Sequence, residues 1–412
     1  MDLLDAAVQP YAWGSHEVIA RLQGRPAPTP EPEAELWMGA HPSAPSGLTR
    51  DGAATDLRRV VDADPEGELG ADCARAHGGR LPFLLKVLAA DQALSIQVHP
   101  DADRAAAGYA AERAGGLDAG ASPTYADDWP KPEVLCALTE FEVLAGLRDP
   151  DDARALLDAL DVPALAAVRA ALTTGEGAGS RDVAMLAALR AVLTHPDPAR
   201  LAADVVAACA RLAQAPDGAS AASTAHREAA EAVTCIARDH PDDIGLVAAL
   251  LLRHRVLAPG EAIYMAAGGL HAYVRGAGIE ILANSDNVLR AGLTGKKIDV
   301  EELLRIVDPG VGVPDLTPSD DGDGGQTYAA PVPHFRLHRV IRPAGAGPIP
   351  LPGRGPRIVL SVEGTATLTR PDGARLDVAT GASAFVPARE DDVRLEPGGS
   401  GALDAFVACP GA

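Results

Sequence analysis

A chain of 412 residues, 47% hydrophobic and 23% charged, has the make-up of a globular protein of two or three domains and not of a disordered, collagen-like or membrane-embedded one. No window reaches the roughly 18 uninterrupted apolar residues of a membrane helix, and 57 acidic against 36 basic residues, a net charge of −21, oppose adhesion to nucleic acid or anionic lipid. An anionic substrate would have to be held by a local basic cluster.

The first 22 residues mix Asp2, Asp5, His16 and Glu17 with apolar residues, so no secretory leader is expected and the cytoplasm is the expected location. Cys73, Cys136, Cys209, Cys235 and Cys409 are odd in number and scattered without a CxxC pair, which fits a reducing compartment. Up to residue 148, short apolar runs such as Leu81–Leu88 and Leu94–His99 alternate in character and predict strands. From Asp149 to His254 the spacing turns helical, as in Leu165, Val168, Leu172 and then Val183, Leu186, Leu189, Leu193, with Ser180 as an N-cap for the second run. Breaks at Thr174–Gly179 and His195–Pro198 divide this stretch into about four or five short helices. Strand character returns over Val256–Met265, where Pro259-Gly260 supplies a turn. Residues 309–331, rich in Gly, Asp and Pro, read as a linker or exposed loop. From Phe335 to Val407, runs such as Arg357–Glu363 and Ser383–Pro387, separated by turns at Gly364, Pro371–Gly373 and Gly381, predict a small all-β barrel or sandwich. Its last histidine is His338, so no second histidine-based metal centre is expected there.

Gln97 and His99 stand two apart in a predicted strand, so both side chains project from one face and can converge on one ion. Alone, the pair also fits a hydrogen-bonded polar patch on a strand surface. Glu133, in Lys131-Pro-Glu133, and His271, in Gly268-Gly-Leu-His271, sit among apolar residues where an isolated polar side chain would want a partner. Two imidazoles, a carboxylate and an amide oxygen suit Zn²⁺. Such a centre keeps about one positive charge and remains a Lewis acid suited to an oxyanion. The stretch from Ile279 to Lys297 then places Glu280, Asp286, Arg290, Lys296 and Lys297 close together, which is polar for barrel sequence. The plainer reading is an Asx-type turn over Asn284–Asn287 and an ordinary ion pair for Arg290.

Taken in order, Tyr11–Ser15, Glu35–Pro42, Leu81–Lys86, Leu94–Pro100, Lys131–Glu133, Gly268–Tyr273 and Ala283–Thr294 make a sequence that closely resembles the type I mannose-6-phosphate isomerases. These motifs run from Tyr11 to about Val300, and the helical and C-terminal parts match only in kind. The resemblance implies a mainly β fold with an α-helical insertion: two cupin (jelly-roll) β domains plus a helical lobe. The corresponding division is a discontinuous catalytic domain, 1–148 and 255–308, an inserted helical domain, 149–254, and a C-terminal β domain, 309–412, with a linker at 309–331.

The resemblance further implies that Gln97, His99, Glu133 and His271 bind one Zn²⁺ per chain. It places Arg290 in catalysis, with Lys131 and Glu280 as acid–base candidates. Ser95, Lys86, Arg290 and Lys296 would face the phosphate of a sugar phosphate, and Asp286 and Trp13 would contact the substrate. Trp37 and Trp129 are further candidates for packing against the sugar. The expected partner is that small molecule alone, with no nucleic acid or membrane, and the chain is expected to be a monomer. Family members often carry His before the Lys-Pro-Glu motif; Pro130 stands here, so no acid–base role for that residue can apply.

The implied reaction interconverts mannose 6-phosphate and fructose 6-phosphate through an enediol. Glu280 serves as base if burial raises its pKa, and Lys131 if a metal's charge lowers its own; sequence leaves both open. Competing readings are a cupin that binds a sugar phosphate as a sensor, a cupin oxygenase, which would use a richer histidine set, and an isomerase of another aldose phosphate.

Overall fold

The computed structural model describes residues 1–115, 123–173, 180–214 and 221–411. The break expected at Thr174–Gly179 lies outside the described residues. Three sheets, of ten, nine and four strands, carry the β structure.

Alternation decides how they stack. Along Phe83–Ala90 every residue is buried, with Phe83, Leu85, Val87 and Ala89 on one face and Leu84, Lys86, Leu88 and Ala90 on the other. The first set shares an apolar cluster with Ile358, Leu360, Phe385 and Phe406 of the nine-stranded sheet. The intervening Val359, Ala405 and Val407 meet Ala366, Leu368, Val378 and Leu395 of the four-stranded sheet. The nine-stranded sheet is therefore covered on both sides, and each such aliphatic side chain contributes about 1.5–3 kcal/mol through burial. The all-β reading of Phe335–Val407 holds, with positive φ at Gly364, Gly373 and Gly381 where turns were expected.

The 13-residue strand His271–Ala283 joins two halves of the ten-stranded sheet. Its first half pairs with Gln97 and with Val143–Ala145, and its second half with Phe83–Ala90 and Glu133–Ala137. The register shifts between Tyr273 and Arg275. Gly276 follows with φ +132, where a Cβ would lie 2.7 Å from the Glu140 carbonyl oxygen. Only glycine fits that bend, which carries His271 round to face the other half of the sheet.

Between Pro150 and Ala249 the described residues form six α-helices, two of them 16 residues long, more and longer than the sequence suggested. Ser180 does cap Arg181–Leu193, accepting the Val183 N–H at 3.4 Å. Among the described residues, no helix is long and apolar enough to cross a membrane.

Two features differ from the sequence reading. Within the expected linker, Ser319–Gly322 and Gly325–Tyr328 pair as a hairpin and continue the nine-stranded sheet through Arg336–Arg342. Gly322, Asp323 and Gly324 all take positive φ, so the Gly-Asp-Gly run read as linker or exposed loop is turn chemistry. The strand Asp2–Asp5 also joins the nine-stranded sheet, pairing with Ser383–Phe385 on one side and Gly47-Leu48 on the other.

Candidate metal centre and active site

Register gathers the charged residues on one face. Trp37 stands opposite Lys86, Lys86 opposite Glu280, and Leu282 opposite Glu133. Directly opposed residues share a face, as do residues two apart, so Glu35, Trp37, Lys86, Glu280 and Glu133 all lie on the side away from the nine-stranded sheet. In the other half, His271 stands opposite Gln97 and Gln97 opposite Arg290. Each step in that row spans about 4.5–5.5 Å between Cβ atoms. The two rows face a common cavity of about 460 Å³, lined by Trp13, Lys86, Ser95, Gln97, Lys131, Glu133, His271, Glu280, Asp286, Arg290 and Lys296.

His99 lies behind this wall, fully buried. Its Nδ1–H donates to the Asn287 carbonyl at 2.7 Å, which leaves the Nε2 lone pair exposed to whatever lies ahead of it. Burial holds the ring at a pKa of about 4, so it is neutral. His271 is built alike, with Nδ1 3.1 Å from the Gly269 carbonyl. Both Nε2 atoms stop 3.3 Å from the same Glu133 Oε2, and the His99 Nε2 makes no hydrogen bond. Two imidazole nitrogens and a carboxylate oxygen, mutually within 4.8 Å, converge on one point. A spacing of 3.3 Å is also about the edge of a tetrahedron whose bonds measure about 2.0–2.1 Å. The residues fit a small dication with a taste for nitrogen and oxygen donors, and the carbonyl contacts behind both histidines are the supports such ligands require. Gln97, facing His271 across the ladder and lining the cavity, is placed to add an amide oxygen; its amide nitrogen donates to Ser95 Oγ at 3.3 Å.

Three carboxylates and two ammonium groups occupy the floor. Lys131 Nζ lies 2.7 Å from Glu133 Oε1. Lys86 Nζ lies 3.1 Å from Glu280 Oε2 and 3.4 Å from Glu35 Oε1, so on the cavity wall its charge is paired with carboxylates. Burial would lower the Lys86 ammonium, but Glu280, Glu35 and Glu133 outweigh it and hold the proton on. Burial likewise pushes Glu133 up, and Lys131 and the imidazoles override it, leaving the carboxyl well below the usual range. At Glu280 burial prevails, with Glu133 and Glu35 adding to it against Lys86, and the pKa is raised. The Tyr273 hydroxyl donates to Glu280 Oε1 at 2.8 Å.

Arg290 is the contrast. Among the described residues it has no ion pair or side-chain hydrogen bond, which removes the plain ion-pair reading, and its guanidinium is half-buried on the cavity wall. Lys296 is exposed at the rim, also without a carboxylate partner among the described residues; Lys297 is off the cavity. Asp286 receives His41 Nε2 at 3.2 Å, and that contact outweighs burial to hold its carboxyl below the usual range. Trp13 stacks on Tyr11 at the cavity mouth, ring centroids 5.7 Å apart. Trp37 lines the cavity, but Trp129 does not: it packs against His77 and His334 beneath Arg80.

The Asn284–Asn287 segment is more than a local Asx turn. Asn287 is fully buried; its amide donates to the Asp127 and Trp129 carbonyls at 2.8 and 2.7 Å, while Asp127 accepts from Ser285 Oγ and the Asp286 N–H, each at 2.8 Å. Asp127, Asn287, Glu35 and Tyr273 were given no role in the site from the sequence. The available signal was weak: Glu35 heads an otherwise apolar strand, and Tyr273 lies two residues from His271 on the same strand face.

The family described as phosphomannose isomerase type I, catalytic domain, matches residues 1–150. Mannose-6-phosphate isomerase of Salmonella typhimurium is 34% identical, covering 98% of both chains, and that of Escherichia coli is 33% identical, covering 96% of this chain and 97% of its own. The crystal structure of a point mutant of phosphomannose isomerase from Salmonella typhimurium superposes with a TM-score of 0.85 at 32% identity over the whole of both chains.

Proposed function

The chain belongs to the type I mannose-6-phosphate isomerases, and from that premise we propose that it interconverts D-mannose 6-phosphate and D-fructose 6-phosphate with one Zn²⁺ held by Gln97, His99, Glu133 and His271. A solved mannose 6-phosphate isomerase described as holo and zinc bound, with a TM-score of 0.83 to this chain, supports the choice of metal. When bound, Zn²⁺ supplies Lewis-acid stabilisation of negative charge on a sugar oxygen.

The protein's own residues divide the remaining work. Glu280 is the base that moves the proton between C2 and C1: it is buried, it faces the cavity, and its raised pKa brings it nearer neutrality. Tyr273 fixes the orientation of that carboxylate, and Lys86 keeps a place in the cavity as the charge that opposes the upward shift at Glu280. Lys131, the alternative base, is committed to Glu133 at 2.7 Å. Arg290 neutralises the charge that develops on the enediolate. Lys296 at the rim, with Ser95 beside Gln97, receives the phosphate, and Asp286 accepts a sugar hydroxyl. Trp13, stacked on Tyr11, offers a flat face to the C–H side of the sugar.

The observation that carries this reading is that Arg290 and Lys296, without ion-pair partners among the described residues, open on the same cavity as the His99–Glu133–His271 cluster. A coupled assay of the zinc-loaded protein against mannose 6-phosphate and other aldose 6-phosphates tests it. Turnover with mannose 6-phosphate well above the others is expected, and its absence would end the assignment. The bent ten-stranded sheet supports a cupin barrel for 1–148 and 255–308, with 149–254 as an inserted helical domain and 309–412 as a second β domain that also recruits Asp2–Asp5. Five free cysteines support a cytoplasmic protein, and a monomer is the assembly to check by sedimentation.

A further inference from the structure

The segment that carries Arg290 and Lys296 to the cavity is shaped by something outside its own sheet. Between them, Leu293 takes φ +54, a left-handed conformation that a leucine keeps only where its surroundings impose it. The imposition comes from the helical region. Asp243 Oδ1 accepts the N–H of Leu293 at 2.8 Å and of Gly245 at 2.7 Å, and Oδ2 accepts the N–H of Thr294 at 3.0 Å. One carboxylate thus binds the first turn of Gly245–Ala249 to the backbone of the cavity loop. The two backbones touch there: a Cβ on Gly245 would lie 2.3 Å from the Leu293 nitrogen. His240, from the same connection, lines the cavity and holds the Ala93 carbonyl at 2.8 Å.

We propose that Asp243 is a positioning residue for the reaction, its carboxylate fixing the Leu293–Thr294 backbone and through it the aim of Arg290 and the reach of Lys296. The helical region then completes the active site and is not merely an appendage to it. This rests on the assignment of Arg290 and Lys296 to the substrate's charges. Asp243 does not line the cavity; it acts through a loop, and a misplacement of about 1 Å in a positioned group can cost on the order of 100-fold in rate.

The test is a double-mutant cycle on zinc-loaded enzyme, with kcat, KM and metal content read for each variant. Asp243→Ala should lower kcat about 10- to 100-fold and raise KM, with metal content unchanged because the ligand residues lie on other strands. Asp243→Asn keeps one acceptor oxygen but turns an amide N–H toward the Thr294 N–H, so it should recover the larger part of kcat and lose only about three- to tenfold. In an Arg290→Ala background, Asp243→Ala should cost little more, because residues acting as one unit are not additive. Wild-type kcat and KM in Asp243→Ala, or a loss that multiplies in full onto that of Arg290→Ala, would overturn the proposal. If Asp243→Ala does not fold, Asp243→Asn is judged by the same two criteria. An Arg290→Ala enzyme with normal turnover would instead sink the functional assignment, so the two failures are distinct.

Discussion

The face of the ten-stranded sheet that lines the cavity and the face of the nine-stranded sheet that meets the four-stranded sheet are both interior surfaces built on the same alternation. At the second, Val359, Ala405 and Val407 interlock with Ala366, Leu368 and Leu395, and the space is filled. At the first, equivalent positions hold Lys86, Glu133 and Glu280 among Leu84, Leu88 and Leu135, and a cavity remains. Burying a charge is costly unless it is paired; here Lys86, Glu133 and Glu280 are paired, with a metal-ligand cluster at one end and, at the other, a half-buried Arg290 that has no ion pair among the described residues. The filled face holds the fold together; the charged face gives up cohesion for chemistry.

The comparison can be broken from either side. His271→Ala should abolish both metal binding and turnover, whereas His338→Ala, in the filled half, should leave the metal count at one per chain; elemental analysis of both variants decides. A second metal that depends on His338 would erase the distinction. Arg290→Ala should keep fold and zinc but lose at least about two orders of magnitude in kcat, and Arg290→Lys should recover little, since an ammonium cannot reproduce the fork of donors. Leu368→Ala should do the reverse, losing about 2–5 kcal/mol of stability in denaturant titration with turnover per folded molecule unchanged.

Smaller effects sharpen the picture. Folded Glu280 holds its proton more tightly than the unfolded chain does, so its contribution to stability is full below the ordinary carboxylate pKa and is lost as pH rises through the folded value. Lys86→Met removes the main charge opposing that shift, so the acid limb of the kcat/KM profile should move to higher pH; an unmoved limb would take the base role from Glu280. Smallest of all, Lys296→Ala should raise KM more than it lowers kcat, the mark of lost uniform binding.

Legibility in the sequence followed distance along the chain. The Gln97–His99 pair and the isolated Glu133 and His271 could be read because a polar residue in an apolar run is locally conspicuous. The Asn287 carbonyl that orients His99 comes from 188 residues away, and no local pattern announces it. By local pattern Arg290 resembled any surface arginine; the resemblance alone gave it a role, and among the described residues it has no ion-pair partner. The hairpin at Ser319–Tyr328 was hidden because strands with exposed polar residues on an edge look like loop. The resemblance to a known family supplied what spacing could not, namely which isolated polar residues belong together.

The placement of Asp2–Asp5 has a consequence for the order of events in making the protein. Asp2 lies opposite Phe385, about 380 residues later. At a synthesis rate of about 5–20 residues per second, Asp2–Asp5 waits roughly 20–80 s for this neighbour. Until then the hairpin of Gly47–Arg50 and Ala53–Asp56 can hold only one of its edges, and the apolar face of Phe83–Ala90 lies without the sheet that covers it. The charged cavity face can begin to form before the layer that steadies it has left the ribosome.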